Sequence, residues 1–358
     1  MGARRLGMGV AAILALGALA GCVQPRPEAG CTFANVACTR DGTGWLVQDV
    51  TVQGSPSLHI SSGAGVLFRH VHVRDAGDVR LDVTCACAVR GDDFTVDGGA
   101  GGGMVWLLVD GPVGAERELE GASIDGLAIS NMERGLNIDT FVGALAISNL
   151  TVKCRTQGYG IGIEITDAAR SSSVSIRDSR IEGCQDWGLI ESETADTPPP
   201  PHVDVGLRRV EFTGNAIAVE LRGHGYNLTV RDSTFAGNHI GITAVTRQDD
   251  PVLRLDIERT TFQGNGKHGL LGSGDCGGAI EGWFAGAVHN STFTGNRPAL
   301  NVRDSFFPGY QPMVDARANW WGLPAGPTFA VQCDNGGVVA GDPIYGIAST
   351  EPHLLAPP

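Results

Sequence analysis

Four times between residues 211 and 296 the chain writes nearly the same five residues: EFTGN at 211–215, TFAGN at 234–238, TFQGN at 261–265 and TFTGN at 292–296. Only a chain that keeps returning to one place reuses a phrase in this way. Aligned on one apolar anchor, the series runs back to Val52, Val73, Val96, Ile129, Val152 and Ile181, then on to Phe212, Phe235, Phe262 and Phe293. The intervals are 21, 23, 33, 23, 29, 31, 23, 27 and 31 residues. A floor near the low twenties with variable excess is the mark of a solenoid with loops inserted between coils.

Each unit is strand-like inside. VTV, VHV and LTV alternate with period two. A second alternation follows the anchor, as in Gly135-Leu-Asn-Ile138, Gly162-Ile-Glu-Ile165, Ala218-Val-Glu-Leu221, Gly241-Ile-Thr-Ala244 and Ala299-Leu-Asn-Val302. Gly-Asn stands between the two strands, and both residues tolerate the left-handed backbone of a sharp corner. No amphipathic helical pattern longer than two turns follows the first 22 residues. The expectation is an all-β, single-stranded parallel β-helix. In it Phe212, Phe235, Phe262 and Phe293 stack as an inner column. Asn215, Asn238, Asn265 and Asn296 either form a hydrogen-bonded ladder or merely fit their own corners. Either role is structural.

The first 22 residues stand apart. Arg4 and Arg5 precede an apolar run from Met8 to Ala20, and Leu-Ala-Gly-Cys closes it at Cys22. This reads as a secretory signal, too short for a comfortable membrane span. Its ending resembles the lipobox of bacterial lipoproteins, which implies cleavage before Cys22, a lipid on that residue and a partner in the bilayer. The alternative is an ordinary signal with a chance cysteine. Eight further cysteines in an exported chain suggest disulfides. Cys31 with Cys38, Cys154 with Cys184 and Cys276 with Cys333 are reasonable pairs. Cys85-Ala-Cys87 is harder to place and has no second ligand pair at zinc spacing.

Residues 125–303 resemble the parallel β-helix repeat of the pectin-lyase-like superfamily. ANWWGLPAGP at 318–327 and the tail from Gly341-Asp-Pro-Ile to Pro358 resemble the usual ending of such chains. The resemblance implies a right-handed helix of about ten coils and says little about activity. The resulting division is a signal peptide at 1–21, a lipidated tether and N-terminal cap at 22–44, the β-helix at 45–327 and a C-terminal cap at 328–358. Coils at 45–124 match less well and join the solenoid on alternation alone.

Without Arg4 and Arg5 the chain has 24 basic against 39 acidic residues, and only Lys153 and Lys267 are lysines. That balance argues against nonspecific nucleic-acid partners. It also repels polyanions unless cations bridge the two.

Candidates for chemistry are sparse. Asn137-Ile-Asp139, Asp92-Asp93 and Gly223-His-Gly225 look like polygalacturonase motifs. Their order is wrong, however, and Arg-x-Lys is absent. Glu164 and Glu220 occupy the outward position of the second strand, two anchors apart, which puts them roughly 10 Å apart if one coil lies between. That suits an inverting acid–base pair or a calcium bridge; a solvated row of carboxylates is the plainer reading. Asp178, Asp204 and Asp232 read the same way. His70 and His72 face one side of a strand and could begin a metal site, but no third ligand is visible. Gly98–Gly103 is not a phosphate loop. Phe306, Phe307 and Tyr310 form a candidate ligand-binding patch, with core packing as the alternative.

The sequence therefore points first to a lipid-anchored extracytoplasmic protein of the bacterial envelope that binds or scaffolds there, with polysaccharide as the expected partner, no recognisable polygalacturonase or lyase constellation, and no cofactor implied unless calcium bridges carboxylates. A polysaccharide lyase or glycoside hydrolase is the first alternative. A periplasmic metal-delivery accessory using His70, His72, Cys85 and Cys87 is the second.

Overall fold

The computed structural model describes residues 31–358, apart from 35, 43, 61–64, 84–86, 101, 109–118, 140–142, 167–171, 193–202, 223–225, 246–252, 267–277, 283, 303–313, 330–342 and 346–347. Every regular element among the described residues is a strand, and nearly every pairing is parallel. The chain is a parallel β-solenoid. Its first sheet has 14 strands, with Ser57–Ile60, Val79–Val83, Met104–Leu108, Arg134–Asp139, Ile161–Thr166, Trp187–Ser192, Ile217–Arg222, Ile240–Val245, Gly278–Gly282 and Leu300–Val302 following one another. The second sheet carries the longer strands, such as Gly44–Gln53, Gly65–Arg74 and Val203–Thr213. The rung count departs slightly from the ten expected.

The register follows the anchors. Val52 pairs with Val73, Val73 with Val96, Val96 with Ile129 and Ile129 with Val152. Val152 then pairs with Ile181, and Ile181 with Phe212, Phe235, Phe262 and Phe293 in turn. Like residues stack because a parallel ladder places equivalent positions about 4.8 Å apart, so one apolar column lines one continuous core. The four phenylalanine rings lie parallel, with centroids 5.1, 4.9 and 4.9 Å apart. Trp321 closes the stack at 4.7 Å from Phe293.

Two corners turn the chain. Within the second sheet a left-handed residue recurs at one register position: Asp49, His70, Asp93, Gly126, Asn149, Asp178, Arg209, Asp232, Arg259, Asn290 and Ala318. Bulky residues avoid this conformation, so a single-residue bend shared by every rung is a property of the fold. At the other corner Gly214, Gly237, Gly264 and Gly295 have φ of 62–68°, and the asparagine after each is buried. The Nδ2 of Asn215, Asn238 and Asn265 donates to the Oδ1 of the next asparagine at 3.0, 3.0 and 2.8 Å. The same oxygens accept the backbone N–H of the preceding rung.

Both ends are plugged by aromatic rings. Cys31–Phe33 pairs antiparallel with Ser57–Ile60, and Phe33 packs edge-on against Phe68 at 5.1 Å and Phe94 at 6.5 Å. The Cys31–Cys38 disulfide staples this cap, and Cys154–Cys184 joins adjacent rungs.

Candidate functional site

On the outer face of the first sheet one column of side chains runs from rung to rung. It reads Asn137, Glu164, Ile190, Glu220, Thr243, Glu281 and Asn301. The alternation of a strand explains the placement: Ile163 and Ile165 enter the core, so Glu164 between them faces out. Ile190 separates Glu164 from Glu220, which puts their strand positions about 10 Å apart at the rung spacing. Thr243 separates Glu220 from Glu281 in the same way.

A solvated row of carboxylates is not what forms. Glu164, Glu220 and Glu281 are 8%, 3% and 5% exposed. Burial of a carboxylate is tolerable only where it is paired and hydrogen-bonded. Glu164 accepts from Arg134 Nη1 at 2.9 Å and Asn137 Nδ2 at 3.1 Å. Glu220 accepts from the Trp187 indole N–H and from Arg222. The Arg222 guanidinium also lies 5.1 Å from the Trp187 ring centroid, within cation–π range. Buried carboxylates thus form a lower layer. Above them Arg134 and Arg222 remain partly open to solvent, their side chains 34% and 45% exposed. Tyr159, 55% exposed, precedes by two residues Ile161, the register partner of Trp187. A general acid or base needs an edge directed at substrate. These carboxylates instead spend hydrogen-bonding capacity on neighbours, an arrangement that fixes the arginines and the indole.

Glu281 belongs to this column and escaped the sequence reading. Ala279-Ile-Glu-Gly282 has the same form as Ala218-Val-Glu-Leu221, so the signal was present. Glu191 breaks the pattern. It takes the inward register position between Ile165 and Leu221, and the Tyr226 hydroxyl donates to its Oε1 at 2.5 Å. Only a one-residue shift in Gly188-Leu-Ile-Glu191 betrays it.

His70 and His72 flank buried Val71 and make separate contacts. His70 sits at the left-handed corner, φ 50°, and its Nδ1 lies 3.2 Å from Asp49. His72 lies beyond the bend, 2.8 Å from Thr95 and 3.6 Å from Asp93. Among the described residues no three His, Cys, Asp or Glu groups converge as a metal site. Cys87 is disulfide-bonded, which removes its thiolate from any ligand set.

Asp92 and Asp93 lie on the second sheet, Asp92 ion-paired with Arg69 and Asp93 3.6 Å from the His72 ring, while Asn137 is on the first and committed to Glu164. Asp178 and Asp232 occupy the bend. Their carboxyls are held below the usual range by hydrogen bonds from Arg209 and Arg259, whose guanidinium groups are raised in turn. Cys22, Cys85, Gly223-His-Gly225, Cys276, Phe306, Phe307, Tyr310 and Cys333 lie outside the described residues.

The second sheet carries an open concavity of ≈ 560 Å³ whose lining includes Ser175, Gly206 and Thr229. Asp204, Arg254 and Asp256 also line it. The Asp204 carboxylate accepts from Asn227 at 2.9 Å, and Asp256 is ion-paired with Arg231.

No family model matches the chain, and no curated protein or solved structure matches it. Its disulfides fit an oxidising, extracytoplasmic setting. Among the described residues no helix is long and apolar enough to cross a membrane.

Proposed function

We propose that this chain is a lipid-anchored β-helix of the bacterial cell envelope that binds polysaccharide without turning it over. The architecture and the resemblance noted above favour the pectin-lyase-like superfamily. One observation carries the binding reading: on the first sheet Trp187, Arg134 and Arg222 are held by hydrogen bonds to buried glutamates. Planar cations and an aromatic ring set in place before the ligand arrives limit the ordering cost of binding. The same pairing weighs against the enzyme alternative, and the disulfide at Cys87 weighs against metal delivery.

The test is a glycan array run beside turnover assays on acidic and neutral polysaccharides. Binding without turnover, weakened by Trp187→Ala, is the expected result. Turnover abolished by Glu164→Gln or Glu220→Gln would show a catalyst instead. Separately, Cys22→Ser should move the protein from the membrane to the soluble fraction; unchanged sedimentation with membranes would end the lipid-anchor reading.

A further inference from the structure

Two outward columns of side chains meet in the concavity of the second sheet. One runs Asp204, Asn227 and Arg254 on three successive rungs, and the other Gly206, Thr229 and Asp256. Residues two apart on a strand share a face, so the columns lie side by side. Elsewhere on this sheet opposite charges neutralise each other across one rung, as Asp178 does with Arg209 and Asp256 with Arg231. Asp204 and Arg254 do not. They stand two rungs apart, roughly 10 Å between strand positions, with the neutral Asn227 between them. Both are exposed, and the Arg254 guanidinium forms no ion pair with a described residue. Asn227 donates to the Asp204 carboxylate at 2.9 Å, which orients it. The concavity therefore has a negative end and a positive end.

Gly206 lies beside Asp204, and neither backbone nor crowding requires glycine there. Its φ is not in the left-handed region, and an added Cβ would meet nothing nearer than 3.9 Å, the carbonyl of Val174. Glycine inside a strand weakens it. The positions on either side hold Ser175 and Thr229, as a strand face prefers. What glycine contributes is room.

We infer that this concavity binds a short zwitterionic peptide, with its ammonium end on Asp204 and its carboxylate end on Arg254. Charge decides the ligand class. A purely anionic ligand meets Asp204, and a purely cationic one meets Arg254. A ligand that carries both charges, well separated, satisfies both. Length follows from the rungs: an extended peptide advances ~3.3–3.6 Å per residue, so about three residues cover the gap. Arginine's planar fork accepts a carboxylate with two hydrogen bonds. The hydroxyls of Ser175 and Thr229 both donate and accept, as peptide groups require. The volume of ≈ 560 Å³ is in the range of small-ligand sites. The inference is independent of the polysaccharide reading, since it concerns the other sheet and another ligand class.

The experiment titrates the full chain by calorimetry with trialanine, N-acetyl-trialanine, trialanine amide and free alanine. Trialanine should bind, and blocking either end should weaken binding about tenfold or more. Free alanine, too short to reach both charges, should bind no better than the blocked peptides. Arg254→Gln should erase the difference between trialanine and its amide but keep the difference from the acetylated form. Asp204→Asn should do the reverse, a crossed pattern that a merely structural role would not give. Gly206→Val should weaken trialanine binding while thermal stability holds or rises, and Trp187→Ala should leave it unchanged. No binding of trialanine, equal binding of free and blocked peptides, or full affinity in Gly206→Val would overturn the inference. None of these results touches the polysaccharide reading, which fails separately if glycans do not bind.

Discussion

The two halves of the solenoid reach one geometry by different chemistry. At the corner after the anchor strand, the later rungs use Asn215, Asn238, Asn265 and Asn296, a continuous amide ladder. At the ladder's end the Cys184 N–H donates to Asn215 Oδ1, and Cys184 is itself bonded to Cys154. Cys154 pairs with Met132. Earlier still the turn after the anchor Val73 holds Ala76, buried without an amide of its own. One corner thus runs from apolar contact through a covalent rung to a hydrogen-bonded ladder. The core repeats the contrast. Phenylalanines of one column stack in the later half, whereas Phe68 and Phe94, 4.4 Å apart, come from different register positions in the earlier half. The backbone bend at Asp49 through Ala318 is common to both. The fold therefore depends on the bend and on inward alternation, while ladders and ring stacks add stability where they occur.

Substitutions can break or sharpen this contrast. The largest effect is expected from Phe262→Ala, at about 4 kcal/mol, since it empties the middle of a ring stack; Val73→Ala at the equivalent early rung should cost about half as much. Denaturant midpoints compare them, and equal costs would erase the distinction. Next comes Asn238→Ala, at about 3 kcal/mol, because it leaves the Phe212 carbonyl and the Asn215 amides without their partner. A loss under about 1 kcal/mol would mean that each asparagine serves only its own turn. Tyr226→Phe should cost about 2 kcal/mol by removing a hydrogen bond to the buried Glu191 carboxylate; a neutral result would show that the pair adds nothing.

The smallest effect concerns pH. Asp178 and Asp232 have folded pKa values depressed by hydrogen bonds from Arg209 and Arg259. Depression means that their contribution is complete above the unfolded value of about 3.9 and lost as pH falls below it. Both pairs are exposed, so the contribution is slight. Replacing both with asparagine, which tolerates the left-handed bend, should make stability less sensitive to pH below about 4 and leave the neutral range unchanged. A changed slope between pH 6 and 8 (roughly, well above that range) would contradict this assignment.

Much of the fold was legible because a repeated phrase in a solenoid is a register. Aligning Val52 through Phe293 on one anchor reproduced the observed pairing, even across the early coils that lack TFxGN. The site was less legible. An outward glutamate reads as solvated unless its partners are known, and Arg134, Trp187 and Arg222 come from positions whose meeting depends on rung stacking. The left-handed bend hid for a related reason. Asp, His, Asn and Arg share no type, so a position defined by φ left no repeated letter.

Rung register is the claim beneath all of this, and an engineered crosslink tests it most directly. Cys154 and Cys184 already bridge adjacent rungs with Cα atoms 4.8 Å apart. Thr234 and Thr261 are paired on adjacent rungs in the same way. Thr234→Cys with Thr261→Cys should form a disulfide under mild oxidation, mapped by peptide mass spectrometry, while Thr234→Cys with Gln263→Cys should not. Crosslinking of the offset pair in preference to the aligned one would contradict the stacking on which both proposed sites depend.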